Sequence, residues 1–160
     1  MYVEFDSLPD TSKVWIYQAS QFMDDSMTEN IFAEARNFIE SWTAHQADLK
    51  ASVKIFDNLF VVFAVDESYN DASGCSIDKK VHFVKSMERQ TGLNFFDRMK
   101  IAYLDNGSIS LENMNKFSAL VDSGKVSDAT IIFNNLVTTK REFNTSWKTP
   151  FGKSWLVNAI

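Results

Sequence analysis

The stretch ASVKIFDNLFVVFAV, residues 51–65, decides which fold this chain is predicted to have. Ala51 to Phe56 alternates between small or polar and apolar residues, Leu59 to Val65 is continuously apolar, and Asp57 and Asn58 between them are turn-forming residues. A strand that is buried on both faces reads as an uninterrupted apolar run. The stretch therefore predicts a β-hairpin whose second strand is central in a sheet.

The segments on either side of this hairpin predict a β-α-β-β-α-β order. Lys13 to Gln18 is β-branched and aromatic and predicts a first strand, and apolar residues at intervals of three or four predict a long helix from about Asp24 to Gln46. A second helix is predicted to follow Cys75 and to end at Gly92, before a strand at Met99 to Leu104. This order is that of a ferredoxin-like α+β sandwich, in which two helices cover one face of an antiparallel sheet.

Residues 1–104 are therefore predicted to form the ferredoxin-like core, and residues 105–160 a helix-strand extension packed on the same core. Asn106-Gly107 is a strong hairpin-turn signal, and Ser110 is predicted to be the N-cap of a short helix. The tail carries three large aromatic residues that are expected to pack back on the core, namely Trp147, Phe151 and Trp155.

The composition is that of a compact globular protein. Of the 160 residues 45% are hydrophobic, and the formal net charge of −5 is spread without long runs of one sign, so binding to nucleic acid is not expected. The longest apolar run, Leu59 to Val65, is far shorter than the ~20 residues of a membrane helix, and the N-terminus lacks a signal-peptide pattern. With a single cysteine, the chain is predicted to be cytoplasmic, with no membrane association.

The chain resembles an uncharacterised bacterial family of small cytosolic proteins that are often labelled "ABC transporter ATPase". The resemblance covers nearly the whole chain and rests on the first strand, the long helix through Trp42 and His45, Ala64–Ser68, Ser73–Asp78 and Phe133–Val137. The label implies a nucleotide site, but the residues argue against one: Gly152-Lys153-Ser154 has Trp147 where a phosphate-binding loop needs its first glycine. We therefore predict no ATPase activity.

A second resemblance covers only Tyr103 to Phe133, which is similar to the helix-and-strand half of GYF-like modules. Relatives of these modules bind peptides. The Gly-Tyr-Phe signature that builds their peptide groove is missing here, so peptide binding is not carried over to any particular residue.

Cys75 lies where a glycine-containing loop is predicted to begin a helix. The helix N-terminus, Lys79 and Lys80 would stabilise a thiolate there, so Cys75 is a candidate nucleophile or redox thiol with His45 as the candidate base. Free cysteine is also among the most buried residue types, and a buried structural role is the favoured reading. In a ferredoxin-like fold the end of the first helix and the start of the second are expected to lie apart, which argues against a pairing of Cys75 with His45.

Two further features of this loop each have a simpler explanation. The backbone of Ser73, Gly74, Cys75 and Ser76 is a candidate anion site, with ordinary N-capping by a serine as the favoured alternative. The preceding loop, Asp66 to Asp71, is rich in carboxylates, but its spacing fits no EF-hand. No metal and no cofactor are therefore predicted.

The function predicted from these residues is binding or scaffolding. Trp15 and Tyr17 alternate with Val14 and Ile16, so both faces of the first strand are apolar, and the face without helices must be covered by the tail, a partner or a ligand. The chain is predicted to act through this sheet face on a protein partner, a second copy of itself or a small anionic ligand. The alternative is a thiol-dependent enzyme or redox protein that uses Cys75.

Overall fold

The computed structural model describes all residues, 1–160, and has an α+β fold with antiparallel sheets, which confirms the predicted class. The four helices are α1 (Asp25–Glu40), α2 (Gly74–Thr91), α3 (Met114–Asp122) and α4 (Lys140–Ser146). The nine strands are β1 (Lys13–Gln18), β2 (Thr43–Ala44), β3 (Ala47–Asp48), β4 (Ala51–Phe56), β5 (Phe60–Val65), β6 (Lys100–Asp105), β7 (Ser108–Asn113), β8 (Ile131–Phe133) and β9 (Lys148–Pro150). None of the helices is long and apolar enough to cross a bilayer.

The first sheet has the strand order β1-β5-β4, and every pairing in it is antiparallel. The β4–β5 hairpin is confirmed, and its turn residues Asp57 and Asn58 have φ values of 57° and 52°. Two left-handed residues in succession give the turn a twist that matches the twist of the strands. All six residues of β5 are buried, as expected of a central strand.

Helices α1 and α2 begin and end at recognisable caps. The carboxylate of Asp24 accepts a hydrogen bond from the Met27 N–H, and Gly92 ends α2 in the left-handed region at φ 74°. The prediction that α1 extends to Gln46 is wrong, because α1 ends at Glu40 and the chain then forms the small β2–β3 hairpin.

The second sheet has the order β7-β6-β8-β9, and its position corrects the ferredoxin-like prediction. In a ferredoxin-like sheet the strand after the second helix pairs with the first strand, whereas β6 pairs with β7 along its whole length. The two-residue turn Asn106-Gly107, with φ values of 51° and 83°, makes this local pairing easy to form. Ser110 lies in β7, so the predicted N-cap there is wrong; Asn113 caps α3 instead.

The C-terminal half covers the face of the first sheet that the helices leave open. The Phe60 ring of β5 lies 4.9 Å from the Phe133 ring and 4.8 Å from the Trp147 ring, between centroids. Trp147 and Phe151 are buried as predicted, but Trp155 is exposed. The face that the helices leave open is therefore covered, and the accessible parts of the first sheet lie along its edge strands, β1 and β4.

Candidate binding cleft between the two sheets

A cavity of about 420 Å³ separates β1 from β6. It touches three consecutive residues of each strand, 16–18 in β1 and 100–102 in β6. Because consecutive side chains of a strand point to opposite faces, a cavity that touches three in a row runs along the edge of that strand. The cleft therefore borders the edge of β1 where a ferredoxin-like sheet would place its fourth strand.

The backbone of β1 is unpaired along this cleft. On the side of β1 away from β5, the Ser12 carbonyl accepts a hydrogen bond from the Lys140 N–H at 2.8 Å, and the Val14 N–H donates to the Thr138 carbonyl at 2.9 Å. The next two residues on that side are Ile16 and Gln18, and their N–H and C=O groups have no partner in the chain. Backbone groups in a partly buried position need water or a ligand to satisfy them.

A chain of side-chain hydrogen bonds joins the two sheets beside the cleft. The Gln18 amide donates from Nε2 to the Lys100 carbonyl at 3.1 Å, and its Oε1 accepts from Asn135 Nδ2 at 2.9 Å. Asn135 Oδ1 in turn accepts from Trp147 Nε1 at 3.0 Å. Each amide thus has a partner for both its donor and its acceptor, which fixes the separation of the two strands at this point.

Apolar side chains that are unusually exposed surround the mouth of the cleft. They are four of the eight large exposed apolar residues of the chain, each between 40% and 57% exposed: Phe96, Met99, Leu136 and Trp155. Isolated apolar residues on a surface are ordinary, but several around one cavity are typical of a binding site.

The charged groups at the mouth of the cleft differ in whether they have hydrogen-bond partners within the chain. Asp97 Oδ1 accepts a hydrogen bond from the Met99 N–H at 2.8 Å, and Lys100 Nζ donates to the Ser20 carbonyl at 2.9 Å. The Arg98 side chain is exposed and takes part in no ion pair or hydrogen bond. Its guanidinium, with five donors in a fixed plane, is the uncommitted charge of the cleft.

Cys75, the first of the predicted site residues, is the second residue of α2 and is exposed. The favoured reading of Cys75 as a buried structural residue is therefore wrong. Lys80, which was expected to stabilise a thiolate, directs its amine instead to the Trp15 ring in the core. Lys80 is therefore not placed to stabilise a thiolate at Cys75.

His45, the proposed base, lies in the β2–β3 turn with φ 53° and is exposed. The expectation that the end of the first helix and the start of the second lie apart is wrong: Trp42 Nε1 donates to the Ser76 carbonyl at 2.9 Å. His45 and Cys75 are nevertheless not joined by a hydrogen bond. A thiol-dependent activity remains a prediction from the sequence.

The loop before α2 uses its polar groups locally. Ser73 is the N-cap of α2, since its hydroxyl accepts from the Ser76 N–H at 3.1 Å. Asp66 accepts from the Ser68 N–H at 3.0 Å, and Glu67 accepts from the Ala72 N–H at 3.2 Å. No group of three or more His, Cys, Asp or Glu side chains in the chain is arranged to hold a metal ion. The anion site at residues 73–76 stays a prediction.

Folded protein is expected to react with iodoacetamide at Cys75 at a rate close to that of the urea-unfolded chain, because the side chain is exposed. The measurement is the alkylation rate by mass spectrometry with and without urea. Protection of the folded protein by tenfold or more would contradict the exposed position.

No protein-family model, no curated protein and no solved structure matches this chain.

Proposed function

We propose that this chain is a binding protein that holds a small amphiphilic anion, a carboxylate with an apolar chain, in the cleft between β1 and β6. The observation that carries the proposal is the cleft itself, an apolar cavity with unpaired backbone along one side and an uncommitted guanidinium at its mouth. Ligand pockets in proteins combine mostly apolar walls with a few polar groups that fix orientation.

Each part of such a ligand has a counterpart in the cleft. A carboxylate can accept two parallel hydrogen bonds from the Arg98 guanidinium, which is the geometry that arginine favours. An apolar chain would be covered by the exposed side chains of Met99, Leu136 and Trp155. A polar group along the chain would meet the free N–H and C=O groups of Ile16 and Gln18.

The proposal keeps the predicted class of function and moves its location. The sequence placed the binding surface on a sheet face, but the C-terminal half covers that face, and the cleft lies along the edge of β1 instead. A small anionic ligand was one of the predicted partners. The size of the cleft, about 420 Å³, favours it over a folded partner domain.

Decanoate is the probe for this proposal, and decyltrimethylammonium is the matched cation of equal chain length. Decanoate is expected to bind with 1:1 stoichiometry and to change the emission of Trp155, and the cation to bind at least tenfold more weakly. Replacing Arg98 by Gln is expected to weaken decanoate binding about tenfold, which corresponds to ~1.4 kcal/mol. Arg89→Gln removes an exposed arginine of α2 and is the control.

A second pair of variants tests the apolar wall. Leu136→Glu places a carboxylate at the mouth and is expected to abolish decanoate binding, while Phe22→Glu, with 46% exposure against 51% for Leu136, is expected to leave it unchanged. Binding is measured by tryptophan fluorescence and by calorimetry. Equal affinities for decanoate and decyltrimethylammonium, or an Arg98→Gln variant with unchanged affinity, would overturn the proposal.

A further inference from the structure

The free backbone groups of β1 restrict the kind of anion that the cleft can hold. In an antiparallel strand, alternate residues direct both their N–H and their C=O to the same side. The Val14 N–H donates to the Thr138 carbonyl at 2.9 Å on the side away from β5, so Ile16 and Gln18 direct their groups to that side as well. Both residues line the cleft. They present two donors and two acceptors, which water or a ligand must satisfy.

A simple fatty carboxylate cannot satisfy the two acceptors. Its oxygen atoms accept hydrogen bonds, and neither the ionised carboxylate nor the alkyl chain carries a donor. The backbone carbonyls of Ile16 and Gln18 would therefore lose water to the alkyl chain and gain no partner in return. An acceptor that is desolvated without a new donor weakens binding. The carbonyls of β1 thus favour a ligand that also carries an N–H group.

The oxygen atoms of the side-chain network beside the cleft already have donors. Gln18 Oε1 accepts from Asn135 Nδ2 at 2.9 Å, and Asn135 Oδ1 accepts from Trp147 Nε1 at 3.0 Å. The Lys100 carbonyl of β6 accepts from Gln18 Nε2 at 3.1 Å. The backbone carbonyls of Ile16 and Gln18 have no such donor, and an N–H group in the ligand supplies one.

Donors for a carbonyl group of the ligand are present on the same wall. A carboxamide nitrogen carries two hydrogens, and Gln18 Nε2 and Asn135 Nδ2 each use one of theirs. The backbone N–H groups of Ile16 and Gln18 are free as well. An amide in the ligand therefore finds both a free acceptor and free donors here, which an ester, an ether or an alkyl chain does not.

The position of Arg98 places the amide of the ligand next to its carboxylate. Arg98 lies two residues before Lys100, whose carbonyl is bonded to the Gln18 side chain, so the free guanidinium and the free groups of β1 lie at the same end of the cleft. Two residues span at most about 7 Å of chain. The remaining walls are apolar and suit an alkyl chain. A molecule with a carboxylate, an adjacent amide and an alkyl chain is an N-acyl amino acid.

We propose that the ligand of this cleft is an N-acyl amino acid, whose amide N–H donates to a free backbone carbonyl of β1 while its carboxylate pairs with Arg98. The inference rests on the proposed function, from which it takes the cleft, the apolar walls and the contact with Arg98. It adds the amide and thereby names the class of amphiphilic anion. The edge of β1 then selects an amide over an ester in the way that it would select a neighbouring strand.

The test compares N-decanoylglycine with O-decanoylglycolate, the ester that replaces the N–H by oxygen and keeps the carboxylate and the chain. By calorimetry the amide is expected to bind at least tenfold more tightly, because the ester leaves the β1 carbonyls without a donor. Arg98→Gln is expected to weaken both by the same factor. In NMR spectra the amide, but not the ester, is expected to shift the carbonyl ¹³C resonance of Ile16 or Gln18. The carbonyls of Trp15 and Tyr17, which face β5, are the internal controls.

The outcomes separate this inference from the proposed function. Equal affinities for the amide and the ester, with both still weakened by Arg98→Gln, would overturn the amide contact and leave the proposed function standing. A preference for the amide that Arg98→Gln does not weaken would support the amide contact and overturn the carboxylate site of the proposed function. Tighter binding of an acetylated tripeptide ending in glycine than of N-decanoylglycine would overturn the acyl chain, because the occupant would then be a peptide C-terminus. If neither decanoate nor N-decanoylglycine bound, both proposals would fall.

Discussion

Replacing Lys80 by Met is expected to raise the free energy of unfolding at pH 7 by about 2–4 kcal/mol. Methionine keeps an unbranched apolar chain against Trp15 and removes an amine that must lose its proton or remain charged in the core. Each unit by which folding lowers the pKa costs about 1.4 kcal/mol. The Trp15 ring, whose centroid lies 3.7 Å from Nζ, offsets about 2 kcal/mol of that cost by a cation–π contact, so the expected gain is smaller than the full shift implies.

The pH dependence follows from the direction of the shift. The pKa of Lys80 is about 7 in the folded chain and 10.5 in the unfolded chain, so between these values the unfolded chain binds more protons. The stability contributed at this site therefore rises with pH by up to about 1.4 kcal/mol per unit from pH 7 to 10.5. Below pH 7 Lys80 is protonated in both the folded and the unfolded chain, and the full free-energy cost of burying the charged amine remains.

The advantage of Lys80→Met should accordingly be largest at or below pH 7 and should shrink toward pH 10.5. Guanidinium denaturation at pH 6, 7, 8 and 9 measures it, with Lys79→Met as the control because Lys79 is an exposed neighbour on α2. A variant that is less stable than the parent at pH 6, or a difference that does not change with pH, would contradict the expected cost.

The elements that the sequence predicted well have local causes. The β4–β5 hairpin, the Gly92 cap of α2 and the Asn106-Gly107 turn each depend on residues within a few positions of one another. The placement of β6 depends on which strands it pairs with, and its two edges pair with β7 and β8 rather than with β1. The local sequence pattern does not determine which distant strands pair with β6.

The end of α1 was missed for a different reason. The β2–β3 turn places His45 and Gln46 at φ 53° and 66°, a conformation that turn patterns assign to Gly, Asn or Asp. The segments that flank the hairpin are joined by contacts with a distant residue: the Met1 ammonium donates to the Ile39 carbonyl at 3.1 Å and to the Leu49 carbonyl at 2.9 Å. The sequence near residue 45 gives no sign of these contacts.

The sequence contains weaker indications of the residues that became important in the structure. Lys80 lies three residues after Ile77 and four before Val84, which places a lysine within the apolar stripe of α2. The walls of the cleft come from loops, where Phe96 and Leu136 follow no periodic pattern. Arg98 was indistinguishable from any surface arginine until the fold placed it at the mouth.

Trp147→Ala is the substitution expected to destabilise the fold most. Trp147 is 4% exposed and packs its ring against Phe143 at 4.5 Å and Phe133 at 4.9 Å, between centroids. Truncating a buried tryptophan to alanine costs about 3–5 kcal/mol. The indole also donates to Asn135, so its loss leaves a partly buried amide oxygen without a partner, which adds about 1–3 kcal/mol.

Trp147→Phe separates these two contributions. Phenylalanine retains most of the packing but removes the Nε1–H donor, and is expected to cost about 1–2 kcal/mol. Because Asn135 positions Gln18 beside the cleft, Trp147→Phe should also weaken decanoate binding, and Trp155→Phe, which alters an exposed residue, should leave the stability unchanged. Denaturation and decanoate titration on the same samples measure both effects. If Trp147→Phe reduced stability as much as Trp147→Ala, the Asn135 hydrogen bond, which both variants lack, would account for the loss, and the packing of the ring would contribute little to joining the two sheets. If Trp147→Phe instead left both the stability and the affinity for decanoate unchanged, packing of the ring rather than this hydrogen bond would hold the cleft in shape.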